Sequence, residues 1–278
     1  MTVYADMHVH TNHSDGTQTI DQVMKRAADL GIHTVAVTDH DTVDTWEEVR
    51  SSAAAHGIQT VRGVEMSCYD ESVHKKTHVV GLWLGEDVSA VQRLCEHTLV
   101  CRDHYHKTLV LELAKKGYPL DYDRVREIAP FGVVFKIHIF QALMERYPES
   151  MSVKRYRELF AGKTTYEVDR QMGYTPIAEG IAAIREAGGL PVIAHPCEYD
   201  NYDEIPAYVE LGLQGIEVSH PSMKEEDYPR TWSLARHFNL AQSGGSDYHD
   251  PDLTPWFGRY GLTAHEFAEL EARALSRI

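Results

Sequence analysis

Paired cysteines, long apolar runs and a surplus of basic residues are all missing from this chain of 278 residues. Its four cysteines form no C-x-x-C pair, which argues against a cysteine-based zinc site and a disulfide framework. No stretch approaches about eighteen apolar residues, and the chain does not open on a charged segment followed by an apolar one. We therefore expect a cytoplasmic protein with reduced thiols and no membrane partner.

Basic residues are outnumbered 27 to 42 by acidic ones, which gives a formal net charge of −15. A surface this acidic repels nucleic-acid backbones at long range, so we expect no long nucleic acid as a partner. A small anionic substrate is compatible with this charge, because bound metal cations reverse the local field of a site. The chain also contains 17 histidines, an excess that calls for an explanation.

Short β-rich runs alternate with helical patterns along most of the chain. Thr19 and Gln22 have the spacing of a capping box, and Gly31 follows the predicted helix Asp21–Leu30 at the position of a C-terminal cap. The repetition of strand, helix and glycine predicts βαβ units, a parallel sheet, and an α/β barrel or distorted barrel of about seven strands. The predicted strands are Val3–Val9, Thr34–Thr38, Thr60–Glu65, Thr77–Leu84, Leu190–Ala194, Gly215–Ser219 and Leu240–Ser243.

Residues 87–175 break this rhythm, since they show helical patterns and no convincing strand. We predict a helical insertion there, between the fourth and fifth predicted strands, and a barrel domain formed by residues 1–86 and 176–278. Active sites of such barrels lie at the carboxyl ends of the strands. An insertion at that face would cap the site.

Histidines and carboxylates gather at the predicted strand ends. In the segment Asp6-Met7-His8-Val9-His10, side chains alternate, so Asp6, His8 and His10 share one face. The turn after this strand and the ends of later strands add Asp15, Asp39, His40, Asp41, Glu65, His78, His195, Asp247 and His249. Two strand histidines alone could be unrelated, but buried ionisable groups are costly unless paired or metal-bound. The whole set therefore predicts a metal site.

Taken in order, these motifs resemble those of one known family. D-x-H-x-H with a following S-D-G, T-D-H-D, G-V-E, an isolated H before V-V-G-L, A-H-P and a late G-S-D-x-H are similar to the motifs of PHP domains, the polymerase-and-histidinol-phosphatase phosphoesterases. The similarity covers the chain apart from the helical insertion. It implies a distorted (β/α)7 barrel, hydrolysis of phosphate esters, and two or three divalent metal ions as cofactors.

The resemblance also implies a role for each motif residue. The implied ligands are His8, His10, Glu65 and Asp247 for one metal, Glu65 as a bridge with His78 and His195 for a second, and Asp15, His40 and His249 for a third. Mixed imidazole and carboxylate ligands suit Mn²⁺, Zn²⁺ or Fe²⁺ better than Ca²⁺. The implied catalytic residues are His195, Asp247 and His249. A hydroxide bridging two ions would attack phosphorus in line, and His249 is a candidate to protonate the leaving alkoxide, a role that metal ligation would remove.

Phosphate recognition is expected in the helical insertion. Lys136 and His138 stand where small nucleotide phosphatases of the family carry R-x-H, so both are implied substrate-binding residues. Lysine offers a point charge rather than the bidentate fork of arginine, and this departure leaves the exact substrate open.

Several residues beside the motifs are candidates for supporting roles. Asp6, Asp39 and Asp41 could orient ligand imidazoles, although a helix cap is an equal interpretation for Asp41. His220 follows a predicted strand and is a candidate for the wall of the site.

The sequence thus predicts a metal-dependent phosphoesterase that releases inorganic phosphate from a small metabolite, such as a nucleoside 3′,5′-bisphosphate or a related mono- or diester. A cyclic phosphate diesterase and a histidinol-phosphate phosphatase of the same family are alternatives. A metal amidohydrolase is a further alternative, disfavoured by T-D-H-D and the late S-D-x-H. A metal-binding scaffold without catalysis is disfavoured by the complete ligand set.

Overall fold

The structure, a computed structural model, describes residues 2–160 and 171–276. Its strands are β1 (Ala5–Val9), β2 (Thr34–Val37), β3 (Gln59–Asp70), β4 (Lys75–Leu82), β5 (Thr175–Pro176), β6 (Leu190–Ile193), β7 (Gly215–Ser219) and β8 (Ala241–Gly244). The helices within the described residues are α1 (Ile20–Leu30), α2 (Trp46–His56), α3 (Ser89–Lys115), α4 (Tyr122–Ile128), α5 (Lys136–Arg146), α6 (Val153–Phe160), α7 (Ile177–Glu186), α8 (Pro196–Tyr199), α9 (Ile205–Glu210), α10 (Asp227–His237) and α11 (Ala264–Leu275).

Seven strands lie side by side in the order β1-β2-β3-β4-β6-β7-β8, and the two-residue strand β5 pairs with β3. β1, β2 and β3 are parallel neighbours, and so are β6, β7 and β8. Beyond β8, Tyr248 pairs with Val9 of β1, and the His10 N–H donates to the Tyr248 carbonyl at 2.8 Å. The sheet therefore forms a nearly closed, distorted barrel with helices around it, as the sequence predicts.

Strand β4 departs from the predicted parallel sheet, because it runs antiparallel to both of its neighbours, β3 and β6. β3 continues past Glu65 to Asp70, where the sequence pattern predicted its end at Glu65, and a short turn then leads directly into β4. No crossover helix separates the two strands, so β4 must return in the opposite direction. Consequently His78, near the start of β4, lies at the same end of the barrel as the carboxyl ends of the parallel strands.

Helix α1 shows how local sequence fixes an element beside the site. The Thr19 hydroxyl accepts the Gln22 N–H at 3.2 Å, and the Gln22 side chain accepts the Thr19 N–H at 2.9 Å, which confirms the predicted capping box. The buried face of the helix consists of Ile20, Val23, Met24 and Ala27. The helix ends at Gly31, whose φ of +73° suits glycine. This helix holds the loop after β1 against the barrel.

Within residues 87–160 and 171–175 of the predicted insertion, helices α3 to α6 cover the carboxyl end of the barrel, which confirms the helical cap. Helix α3 is shared between two cores: Val91 and Cys95 pack in the barrel, whereas Val110 and Leu113 pack with α4 and α5. Within the described residues, no helix is both long and apolar enough to cross a membrane. The exact division of the chain at residues 86 and 176 stays a prediction.

Candidate metal centre

Glu65 lies at the centre of the cluster, surrounded by imidazoles. Its Oε1 is 2.9 Å from a ring nitrogen of His78 and 2.9 Å from one of His195. Its Oε2 is 3.1–3.2 Å from ring nitrogens of three further histidines, which are His8, His10 and His40. Glu65 is 1% exposed, so this carboxylate has almost no access to water. Five histidines, from four strands or the residues just after them, thus face one buried carboxylate.

The structure brings all nine implied ligands together, in groups that partly differ from the implied ones. One group, with ligand atoms within 4.8 Å of one another, equals the implied first set: His8, His10, Glu65 and Asp247. A second joins His10 to the implied third set, which gives His10, Asp15, His40 and His249. A third contains His40, Glu65 and His78. His195 belongs to none of these groups, but its ring nitrogens lie 2.9 Å from Glu65 and 3.7 Å from Glu198. The assignment of each ligand to one metal stays a prediction.

The donor atoms of this cluster suit divalent cations. Asp15 Oδ1, His40 Nδ1 and Glu65 Oε2 are buried and have no hydrogen-bond partner among the residues that the structure describes, although buried polar atoms usually have one. Burial would raise the pKa of the Glu65 carboxyl, but the surrounding imidazoles, His40 foremost, hold this pKa well below its usual range. Carboxylate oxygens and neutral imidazole nitrogens direct lone pairs at one another in this cluster. A divalent cation bound between them would stabilise this arrangement.

Asp247 reaches the cluster because of an unusual chain path after β8. A Cβ on Gly245 would collide with His8, so only glycine allows the two segments to pass so closely. Asp247 has a φ of +49°, and its N–H donates to the His8 carbonyl at 2.9 Å. Non-glycine residues with such a φ are strained and occur preferentially at functional sites. His249 follows, and its Nδ1 is 2.8 Å from the Asp247 carbonyl, which leaves Nε2 facing Asp15 at 3.2 Å.

Glu217 on β7 positions two of the implied ligands, and the sequence analysis missed this role. Its Oε1 accepts a hydrogen bond from His8 Nδ1 at 2.8 Å, and its Oε2 accepts the His195 N–H at 2.6 Å. The proton on Nδ1 leaves the His8 Nε2 lone pair directed at the cluster. The sequence contained one indication of this role, because Glu217 is a carboxylate between Ile216 and Val218 in a buried strand.

Replacing Glu217 with glutamine is expected to lower metal affinity or phosphoesterase activity by about 10–100-fold. The two donors face different oxygens of Glu217, and glutamine has only one oxygen. Its NH₂ group would therefore face one of the two N–H donors. Metal content after dialysis against a chelator and phosphate release would be measured on the same preparation. Glu179→Gln, an exposed change of the same kind on α7, is the control. Wild-type metal retention and activity in Glu217→Gln would contradict this role.

Asp6 and Asp39 do not orient imidazoles directly, which corrects the sequence-based expectation. Asp6 Oδ1 accepts backbone N–H groups from His8 and Ser246 at 3.3 and 3.0 Å. Asp39 accepts hydrogen bonds at 2.6–2.7 Å from the backbone and hydroxyl of Thr11 and from the hydroxyl of Ser14. Both carboxylates therefore fix the backbone path around the histidine strand.

Asp41 neither orients an imidazole nor caps α2, which begins at Trp46. Its carboxylate accepts the Ser67 N–H at 2.9 Å and an Arg102 N–H at 2.8 Å. Arg102 comes from the cap helix α3, is 7% exposed, and also stacks over the Phe135 ring at 4.7 Å. Sequence reasoning did not single out Arg102, although Cys95, Thr98, Arg102 and His106 follow the helical spacing of one buried face.

The two implied substrate-binding residues have different surroundings. His138 is 3% exposed, and its Nδ1 accepts the Phe135 N–H at 3.0 Å, so Nε2 carries the ring proton. Burial lowers the pKa of His138 to about 4, which keeps the ring neutral at neutral pH. Lys136 is half-buried at the start of α5. Burial lowers the pKa of His106 to about 3, and the positive charges of Arg102 and Lys136 contribute to this shift.

His220 lies against the cluster, as expected for a residue of its wall. It is fully buried, and its Nδ1 accepts the Ser222 N–H at 3.2 Å. Its Nε2 is 3.4 Å from Asp247 Oδ2. His220 Nε2 has no hydrogen-bond partner among the described residues, and His220, Asp247 and Glu198 form a fourth group whose ligand atoms lie within 4.8 Å of one another.

Residues 6–168, more than half of the chain, match the PHP domain family. The chain belongs to the PHP family. The phosphoribosyl 1,2-cyclic phosphate 1,2-diphosphodiesterase of Eggerthella lenta is 36% identical to this PHP protein over 94% of this chain and 96% of the relative. The 5′-3′ exoribonuclease Rnm of Escherichia coli is 28% identical, over 91% and 87% of the two chains. The 3′,5′-nucleoside bisphosphate phosphatase of Chromobacterium violaceum is 30% identical, over 88% and 87%.

Solved structures agree with the fold of this PHP protein. A candidate metal-dependent phosphoesterase from Bifidobacterium adolescentis has a TM-score of 0.83 and 26% identity, over 97% of this chain and 96% of that chain. A Chromobacterium violaceum protein described as an amidohydrolase with bound sulfate has the same TM-score, identity and coverage. The predicted family, the capped barrel fold and the phosphoesterase class are thus confirmed.

Proposed function

We propose that this PHP protein removes phosphate from a small phosphorylated metabolite, either a nucleoside 3′,5′-bisphosphate or a related phosphate mono- or diester that includes cyclic ribosyl phosphates. The observation that carries the proposal is the buried Glu65 carboxylate between five imidazoles, with Asp15 and Asp247 beside them. The relatives that act on cyclic phosphates and bisphosphates support this substrate class.

The nine residues of the cluster would hold two or three divalent ions, Mn²⁺, Zn²⁺ or Fe²⁺. Such ions supply a Lewis acid and an activated water for attack on a phosphate ester. His8 and His195 are held for ligation by Glu217, and His249 by the carbonyl that its Nδ1 faces. With Nε2 facing Asp15, His249 is better placed as a ligand than as a proton donor.

The cap would supply the substrate contacts. His138 offers its Nε2–H as a neutral hydrogen-bond donor, and Lys136 offers positive charge that offsets a phosphate. We also propose that residues 87–175 act as a cap domain on a barrel domain of residues 1–86 and 176–278. The shared core along α3 supports a fixed position of this cap over the centre.

Phosphate release from a substrate panel tests the proposal. Protein loaded with Mn²⁺ would be offered a nucleoside 3′,5′-bisphosphate, phosphoribosyl 1,2-cyclic phosphate, histidinol phosphate, a 5′-phosphorylated oligoribonucleotide and an N-acyl amino acid. We expect turnover of small phosphate esters, and loss of this turnover after chelation. Turnover of the oligonucleotide alone would assign an exonuclease role. Turnover of the amide alone, or of nothing with metal bound, would refute a phosphoesterase.

A further inference from the structure

A cleft of about 490 Å³ lies between the cap and the loop that follows β1. Asn12 and Thr17 line its barrel side, and Gln141 and Met144 of α5 line its cap side. Its volume falls in the range of small-molecule sites, about 300–1,000 Å³. The cleft is therefore large enough for one organic ring system and its substituents.

The cleft borders one side of the metal centre. Asp15 lies in the loop between Asn12 and Thr17, and the Thr17 N–H donates to the His249 carbonyl at 2.8 Å. His138 and Gly16, the residue that follows Asp15, both line the cleft. A phosphate ester bound at the Asp15 side of the centre would therefore extend its organic part into this cleft.

The lining of the cleft carries little charge. Across residues 2–160 and 171–276, neither lysine nor arginine lines it, and its one carboxylate, Glu145, is paired with Arg124 at 2.8 Å. Asn12 and Gln141 offer amide donors and acceptors. The apolar wall consists of Ile128, Pro130 and Met144. A second phosphate would meet no counter-charge here, whereas an uncharged group with a flat apolar face and polar edges would meet both kinds of surface.

We infer that this cleft binds the uncharged organic group of the substrate, a ribosyl or nucleoside group, and that any second phosphate lies outside it. The inference rests on the proposed function, because that function places the reacting phosphate at the metal centre. Gln141 recognises the polar edge of this group, and Met144 packs against its face.

Steady-state kinetics test the inference by comparing a substrate that carries an organic group with inorganic phosphate, which has none. Gln141→Leu removes the amide and leaves an apolar side chain that is one atom shorter, so the KM for a nucleoside 3′,5′-bisphosphate is expected to rise about tenfold with kcat little changed. Met144→Trp fills the cleft and is expected to raise KM further. Inhibition by inorganic phosphate, which lacks an organic group, is expected to stay at the wild-type level in both variants. Gln242→Leu, a change of the same kind at an exposed position on β8, is the matched control.

A binding measurement separates failure of the inference from failure of the proposed function. The chain has 8 methionines, and ¹³C-labelled methyl groups would report on each of them by NMR. The Met144 signal is identified by its absence in Met144→Leu. On addition of an uncharged ribonucleoside, this signal is expected to shift in the wild type and to shift less in Gln141→Leu.

The outcomes are distinct. A shifted Met144 signal without turnover of any phosphate ester supports the cleft and refutes the proposed function. Turnover with an unshifted Met144 signal, together with an unchanged KM in Gln141→Leu, overturns the inference. A parallel rise in the inhibition constant for inorganic phosphate would also overturn it, because the variants would then act on the phosphate site itself.

Discussion

The Glu65→Gln variant is expected to release phosphate at less than about one thousandth of the wild-type rate and to purify with less metal. Glutamine has almost the same shape as glutamate, so the packing of β3 is retained. The change removes the one negative charge that five imidazoles share and places an NH₂ group against ring nitrogens. Phosphate release and metal content per chain, measured by elemental analysis, would give the two effects separately.

Glu186→Gln provides the comparison for this variant, since Glu186 is exposed at the end of α7. It is expected to keep wild-type activity and metal content. The folded state of Glu65→Gln would be verified by circular dichroism. A folded Glu65→Gln protein with wild-type metal content and turnover would show that the reaction does not use this cluster.

Asp41→Asn is expected to lower the free energy of unfolding by about 3–5 kcal/mol. Asparagine can still accept the Ser67 N–H, but it leaves the buried Arg102 guanidinium without its counter-charge. A buried cation without a partner is costly because it has lost its hydration without compensation. Urea denaturation followed by circular dichroism would measure the change.

Asp203→Asn removes one of the two carboxylates that face Arg230 on the surface, where Asp203 is 84% exposed. Exposed ion pairs contribute about 0–1 kcal/mol, so this variant should unfold almost like the wild type. The double variant Asp41→Asn with Arg102→Met should recover part of the loss, because the unpaired charge is then absent. Equal unfolding curves for Asp41→Asn and Asp203→Asn would mean that the Arg102 contact adds nothing to stability.

The nine residues of the cluster could be selected from the sequence because each lies in a short local motif, in a predicted strand or in the residues that follow one. The direction of β4 could not be recognised in the same way. The turn between β3 and β4 contains no glycine, proline or asparagine, which are the usual signs of a hairpin. His74 supplies the left-handed conformation there, with a φ of +54°. The sequence did predict the strands, because each one is a short apolar run that can be recognised without knowledge of the fold.

The supporting residues escaped sequence analysis for a different reason, namely distance along the chain. Glu217 contacts His8 across 209 positions, and Arg102 contacts Asp41 across 61. Neither pair has a spacing that a periodic pattern could reveal. The buried face of α3 did contain a signal, because a charged residue at a core position requires a partner. The identity of that partner depends on how the cap is placed on the barrel.

Helix α3 has 27 residues, so it is about 40 Å long, and it contains neither glycine nor proline. One half of α3 packs in the barrel and the other half packs in the cap. A cap that moved relative to the barrel would therefore have to bend this continuous helix. Many hydrolases select substrates by closing a lid, and opening of that lid then limits turnover. We therefore expect the cleft between cap and barrel to keep a constant width, so that the protein would select its substrates by size and shape rather than by closure of a lid.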